Sequence, residues 1–271
     1  MFECEKAVLA VYSVRLERRL LIFKYCLFSE YYILLCRKIR PMQYTLTDRL
    51  MWHFMQGTCY RVLRKGCPEW DFRLLRKEAR NRFREMVSST PSIGSYRENS
   101  LKKNLVGGMV WLAIYETARE RYGSQMSLPL YEKMCRASIS MPMMLRMARM
   151  AKPFTRKFQE SMMKRSEREN RIDSPYNWQA HYKQGKADEE FTLYYTRCGL
   201  CELARERGHL DILPAMCETD YITFEAMGAI LHRNKTLALG DDCCHYYMTK
   251  PGSEAERRWQ EEHPDGTFTN K

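Results

Sequence analysis

The chain has 271 residues, 45% of them hydrophobic, enough for a buried core in one large or two small domains. The net charge of +12 is concentrated: from Arg136 to Arg171 ten basic residues stand against Glu160, Glu167 and Glu169, a surplus of seven. That stretch has only Phe154 and Phe158 as aromatics and carries no nucleic-acid motif, so a solvated helix face is expected rather than a nucleic-acid partner.

Residues 1–41 form an apolar segment broken by Arg15, Glu17, Arg18, Arg19, Lys24, Glu30, Arg37 and Lys38, so no uncharged run reaches the roughly 20 residues that a membrane span needs. It lacks the clean apolar stretch and cleavage site of a signal peptide. An amphipathic helical extension is expected, packed on the body or lying on a membrane surface as a peripheral contact. Translation from Met42 or Met51 would make it dispensable.

Residues 42–166 read as a helical region. Leu50, Phe54, Tyr60 and Leu63 recur on one helical face, and Phe72, Leu75, Ala79, Phe83 and Met86 do so more clearly. Ser100 to Tyr122 is a further helix, in which Gly107 and Gly108 allow a close approach or a kink. Ser127 caps the next, with Pro129 in its first turn and Pro142 interrupting it. Met134, Met141, Met143, Met144, Met147 and Met150 form a stripe expected to be core, or else an adaptable pocket wall.

Residues 167–190 are polar and charged, with Pro175 and Gly185, as a linker or surface loop would be. The pattern then changes over residues 191–250. Phe191 to Arg197 is a strand by its β-branched and aromatic content, and Cys198 to Arg207 a short helix stopped by Gly208. Helical pieces flank Pro214, at 211–217 and 220–227. Strands are expected at 229–234, 235–239 and 243–249. Residues 251–271 form a charged, peripheral tail. The fold class is therefore α+β, a helical N-terminal half followed by a small antiparallel sheet with packed helices.

Five of the eleven cysteines, Cys198, Cys201, Cys217, Cys243 and Cys244, fall within fewer than fifty positions. An odd number of cysteines in a chain this long argues for reduced thiols in a cytoplasm rather than a disulfide framework. Cys198 stands where a strand hands over to a helix, where unpaired N–H groups and the helix dipole lower a thiol pKa. Cys198 and Cys201, at i and i+3, equally suit a shared buried face. In a strand beginning near residue 243, Cys244 shares a sheet face with Tyr246 and Met248, opposite to Cys243, His245 and Tyr247. Asp220 is placed to meet Cys217 on one side of a helix or turn. His209, His232 and His245 are more readily structural than ligands.

Taken in order, Tyr195-Thr196-Arg197-Cys198, Cys217-Glu218-Thr219-Asp220, Arg233, Thr236-Leu237-Ala238-Leu239-Gly240 and Cys244-His245-Tyr246 resemble the L-2-amino-thiazoline-4-carboxylic acid hydrolase family. The resemblance spans 191–248 in detail. His245 stands where that family usually has Asp, and Tyr246 where it usually has Phe. The resemblance implies a hydrolase of cyclic amidine C–N bonds, which opens a small-molecule thiazoline ring by adding water at the carbon between sulfur and nitrogen. It also implies helices packed on an antiparallel sheet, as in small-molecule-binding domains of the vinyl-reductase-associated type.

Two chemistries fit. Cys198 acts as nucleophile or polarising thiolate with Asp220 as general base, supported by Cys217 and Cys244, with Arg197 and Tyr246 as substrate contacts. Alternatively Cys198, Cys217 and Cys244 bind zinc or an iron–sulfur cluster with one position open. From another class, the chain is a small-molecule-binding, redox or metal sensor module with a cysteine cluster. Walker, dinucleotide-glycine and Ser-His-Asp signatures are absent.

Overall fold

The computed structural model describes residues 40–264; the N-terminal amphipathic segment and the last seven residues lie outside the described residues. The helical half begins with α1 (Leu46–Gly66), whose start is set by a capping box between Thr45 and Asp48. Asp48 is fully buried there and also accepts the Tyr96 hydroxyl at 2.6 Å. Asp71 caps α2 (Phe72–Ser89), and Phe72, Leu75, Ala79, Phe83 and Met86 are buried as their spacing requires. At the centre is α3 (Lys102–Tyr122), buried on every side from Leu105 to Ala118, the condition of a helix enclosed by its neighbours. Ser127 caps α4 (Leu128–Ile139), Pro142 opens a separate α5 (Pro142–Arg149), and α6 (Arg156–Glu169) completes the series.

Four antiparallel strands follow: β1 (Gln179–Gln184), β2 (Glu190–Arg197), β3 (Ile230–Lys235) and β4 (Cys244–Thr249), in the spatial order β1-β2-β4-β3. Between β2 and β3 run α7 (Gly199–Glu206), α8 (Leu213–Cys217) and α9 (Thr219–Ala226), and α10 (Glu254–Glu262) closes the described chain. The architecture is α+β. No described helix is long and apolar enough to cross a membrane.

Several local readings differ from this structure. Strand β1 lies within the stretch expected to be a loop. Its residues are mostly polar because it is an edge strand, and its backbone at Ala180 is bonded by the Asn170 side chain, with Nδ2 donating at 2.7 Å and Oδ1 accepting at 2.9 Å. Residues 235–239 are not a strand. Thr236 Oγ1 accepts from the Ala238 amide, and Leu237–Leu239 makes a 3-10 turn ended by Gly240 at positive φ. The tail contributes α10, capped by Ser253, with Trp259 buried against His232. Leu50 is exposed, and α1 packs instead through Trp52, Met55, Cys59, Tyr60 and Leu63. Of the methionine stripe, Met134 is core while Met143, Met147 and Met150 are exposed.

Polar ties join the two halves. Asn177 is fully buried; its Nδ2 donates to the carbonyls of Glu169 and Ile172, and its Oδ1 accepts from Asn99. Glu116 on α3 receives both arms of Arg207 at 2.6 Å. Two glycines let backbones meet. A Cβ on Gly108 would lie 2.3 Å from Leu200, and one on Gly199 would lie 2.0 Å from the Tyr176 carbonyl oxygen.

Two stability predictions follow from this packing. Gly199→Ala should lower stability by about 2 kcal/mol through overpacking against backbone. Gly57→Ala, in α1 with nothing near its Cβ, should raise stability by about 0.5–1 kcal/mol. Denaturant midpoints check both, and equal shifts would refute the close approach at Gly199. His232 is buried, stacked 3.8 Å from Trp259, and burial pushes its pKa down from 6.5 to about 4. Between those values only the unfolded chain holds the proton. Its stabilising share is therefore complete above about pH 6.5 and declines as pH falls toward 4, by up to about 3 kcal/mol. Thermal melts at neutral and mildly acidic pH should show a smaller drop for His232→Phe than for the parent; an identical drop would exclude His232 as the cause.

Candidate active site

Strand β2 delivers Tyr195 to the same sheet face as Cys244, its partner in the β2–β4 register, while Leu193 pairs with Tyr246. The chain then leaves the sheet. Cys198 is the N-cap of α7 with an extended backbone, and the absent side chain at Gly199 lets this corner press onto the Tyr176 carbonyl. Cys198 and Cys217 border the large helical core, and Cys244 and Tyr246 belong to the smaller core of the sheet. Tyr195 and Leu237 pack against both, so the site occupies the seam between the two cores.

Arg233 of β3 organises this seam. Its side chain is 5% exposed, and its Nη1 donates to the Cys217 carbonyl at 2.9 Å and to Asp220 Oδ2 at 3.3 Å. Nη2 donates to Glu218 Oε1 at 3.0 Å. The guanidinium lies over the rings of Tyr221 and Tyr246, 4.7 and 5.6 Å from their centroids. One cation on the sheet thus fixes the junction between α8 and α9.

Asp220, in the first turn of α9, also accepts the Tyr246 hydroxyl at 2.6 Å on Oδ2. Oδ1 has no hydrogen bond from any described residue, and 36% of the side chain remains exposed, so a small molecule can reach it. Burial among rings and thiols raises the Asp220 pKa, against the opposing pull of Arg233 and the Tyr246 hydroxyl. Burial likewise raises Glu218.

Of the three sulfurs, Cys217 is the one that interacts with this carboxylate. Cys217 is within electrostatic range of Asp220, Cys198 and Cys244, and Cys244 is within range of Cys198. Their surroundings work against the expected thiolate. The Leu200 and Cys201 amides do pull the Cys198 thiol down, as a helix terminus should, but a hydrogen bond with the Cys201 side chain and burial outweigh them and push it well up. Burial raises Cys217 and Cys244 in the same way. All eight described cysteines are free.

Among the described residues no group of three His, Cys, Asp or Glu side chains is placed to hold a metal ion. The expected Cys198, Cys217 and Cys244 set is not among such groups. Cys244 Sγ accepts from the Leu237 amide at 3.3 Å and donates to Thr236 Oγ1 at 3.6 Å.

Of the substrate contacts expected, Tyr246 is in the cluster. Arg197 Nε instead donates to the Asn177 carbonyl at 3.0 Å, tying the end of β2 to the loop before β1. His245 lies on the other sheet face, stacked on Tyr194 and bonded to Asn234, so the exchange of an acid for histidine at this position is remote from Asp220. Cys243 interacts with Asp242 in the turn before β4. Tyr195, Glu218 and Tyr221 were not anticipated as members of the site. The signal was available for Tyr195, which alternation places on the face of Leu193, and not for Tyr221, whose helix has no marked apolar face.

A family model described as L-2-amino-thiazoline-4-carboxylic acid hydrolase matches residues 103–247, just over half of the chain, and this range holds every residue of the cluster. No curated protein and no solved structure shows a significant match. On the family match, with the ordered Cys198, Cys217, Asp220, Arg233 and Cys244 elements inside it, the chain belongs to the L-2-amino-thiazoline-4-carboxylic acid hydrolase family.

Proposed function

We propose that this protein hydrolyses the ring of 2-amino-thiazoline-4-carboxylate or a close cyclic amidine, with Asp220 as general base. The observation that carries the reading is the Asp220 carboxylate: one oxygen is fixed by Tyr246 and Arg233, the other is unpartnered among the described residues, and burial raises its pKa toward the range in which a base works near neutrality.

In this mechanism Asp220 takes a proton from water as the water oxygen bonds to the ring carbon between sulfur and nitrogen, and the C=N electron pair moves to nitrogen. The hydroxyl proton passes to the ring nitrogen as the tetrahedral intermediate collapses to the carbonyl with cleavage of the C–S bond, so that no C–N bond breaks. Protonated Asp220 returns its proton to the departing sulfur, giving the carbamoylated cysteine. Arg233 and the Tyr246 hydroxyl hold the carboxylate in place. Cys198, Cys217 and Cys244, kept as thiols, supply a polarisable wall for the ring sulfur and no competing thiolate.

Turnover of L-2-amino-thiazoline-4-carboxylate is followed by thiol release and by a product heavier by one water. Asp220→Asn should lower kcat/KM by about 100-fold or more. Cys198→Ala should keep kcat within about tenfold while raising KM. Abolished turnover in Cys198→Ala would instead favour the nucleophilic thiolate. Stoichiometric zinc or iron lost in that variant would favour the thiolate–metal centre. Binding without turnover in any form would make the protein a ligand-binding module.

The pH profile gives an independent check. The base works deprotonated, so activity rises with pH through the Asp220 pKa. The Tyr246 hydroxyl lowers that pKa. Tyr246→Phe should therefore move the acid limb of kcat/KM to higher pH, and an unmoved limb would remove Asp220 from the role of base.

A further inference from the structure

A second concavity lies outside the family match, between α1 and α2, with a volume of about 690 Å³. Its cations come from two helical stripes. Arg73, Arg76, Lys77, Arg80 and Arg84 follow one face of α2, and Arg49 stands at the head of a facing stripe on α1 that continues through Trp52, His53 and Gln56. No acidic residue lines it.

The carboxylates of these two helices are engaged elsewhere. Asp48 bonds Thr45 and Tyr96, Glu78 pairs with Arg121, and Glu85 lies toward Arg207. Among the described residues none of the six cations makes an ion pair, although such pairs are common elsewhere on the surface. Six like charges around one concavity repel each other, a cost that an anionic ligand removes. Two guanidinium groups are already positioned by rings, Arg76 5.1 Å over Tyr60 and Arg84 5.8 Å over Tyr44. Gln56 adds a different signal. The residue lines the cleft, and its Oε1, buried in this rotamer, has no hydrogen-bond partner among the described residues, so a turn of the amide toward the cleft would offer an acceptor to a ligand donor.

We propose that the cleft between α1 and α2 binds a small polyanion carrying two or more phosphate groups together with a hydrogen-bond donor, the chemistry of a nucleoside di- or triphosphate. The arginine row takes the phosphates, where planar forks bind oxygens in pairs. The hydroxyl or amino donor of the nucleoside meets Gln56 Oε1 once that amide turns toward the cleft. The volume is within the roughly 300–1,000 Å³ of small-molecule sites. The site is independent of the hydrolase chemistry, because none of its residues belongs to the cysteine–aspartate cluster.

Calorimetric titration of the full chain tests this with ATP, tripolyphosphate and adenosine as probes. ATP and tripolyphosphate should bind saturably, one per chain, and more weakly as salt is raised from about 50 to about 200 mM, while adenosine should not bind detectably. The double variant Arg76→Gln/Arg80→Gln should weaken ATP at least about tenfold with an unchanged circular dichroism spectrum, since both side chains are exposed. Gln56→Leu should weaken ATP and leave tripolyphosphate unaffected. Asp220→Asn should leave ATP binding intact, which separates this site from the hydrolase reading. Absence of saturable ATP binding, equal affinity in the double variant, or displacement of ATP by a short DNA duplex that binds more tightly would each overturn the proposal, the last by making the row a nucleic-acid face.

Discussion

The Arg233 guanidinium is the interaction on which the arrangement of the seam depends. It is the one group that touches the Cys217 carbonyl, Glu218 and Asp220 from the sheet side, while resting on the rings of Tyr221 and Tyr246. A buried cation is tolerated only with its donors satisfied and opposite charges beside it. Arg233 meets that condition by drawing in the carboxylates of the α8–α9 junction, and so sets where Asp220 stands. A lysine there would present a point charge with no fork to reach two carboxylates and a carbonyl together.

Around that cation Tyr195 and Leu237 pack against both cores, and close contacts at glycines hold the corner at Cys198. Gly199 lets the corner at Cys198 approach the Tyr176 carbonyl, and Gly108 leaves room on α3 for Leu200. Asn177 and Glu116 then lock the same corner from either side, the first through the loop before β1 and the second through Arg207 at the end of α7. The site residues sit on short elements, so their positions rest on these ties more than on the length of any helix.

Much of this was legible in the chain before its folding was known, and the parts that were not have identifiable reasons. The α2 face from Phe72 to Met86 repeats at helical spacing because one side of that helix is buried. Gly208 and Pro142 mark ends because of their backbone limits. The α1 face was misread through Leu50, since Trp52 and Met55 carry the burial and the periodicity of a long helix leaves more than one apolar set to choose from. Strand β1 was illegible because an edge strand covered by α6 on one side and closed by Asn170 needs few apolar residues. The 3-10 turn at Leu237 resembles a strand in composition; only the local bonds of Thr236 distinguish it. In the site, spacing along the chain brought out Cys198, Cys217, Asp220 and Cys244, but the direction of the thiol shifts depends on burial and on Cys201, which are properties of the fold.

One environment explains both the basicity of the carboxylate and the protonation of the sulfurs. Removing water disfavours the charged form of any acid, so the burial that raises Asp220 also raises Cys198, Cys217 and Cys244. The consequences diverge because the starting points differ. A carboxylate begins far below neutrality, so an upward shift strengthens it as a base. A thiol begins above neutrality, so the same direction of shift removes what thiolate it had. Arg233 and Tyr246 act on the carboxylate through direct contact, whereas at the sulfurs burial outweighs the pull of the Leu200, Cys201 and Leu237 amides and of the Arg233 charge. On the proposed hydrolase reading, a site built this way would activate water in preference to sulfur, with its cysteines contributing shape and polarisability beside the carboxylate.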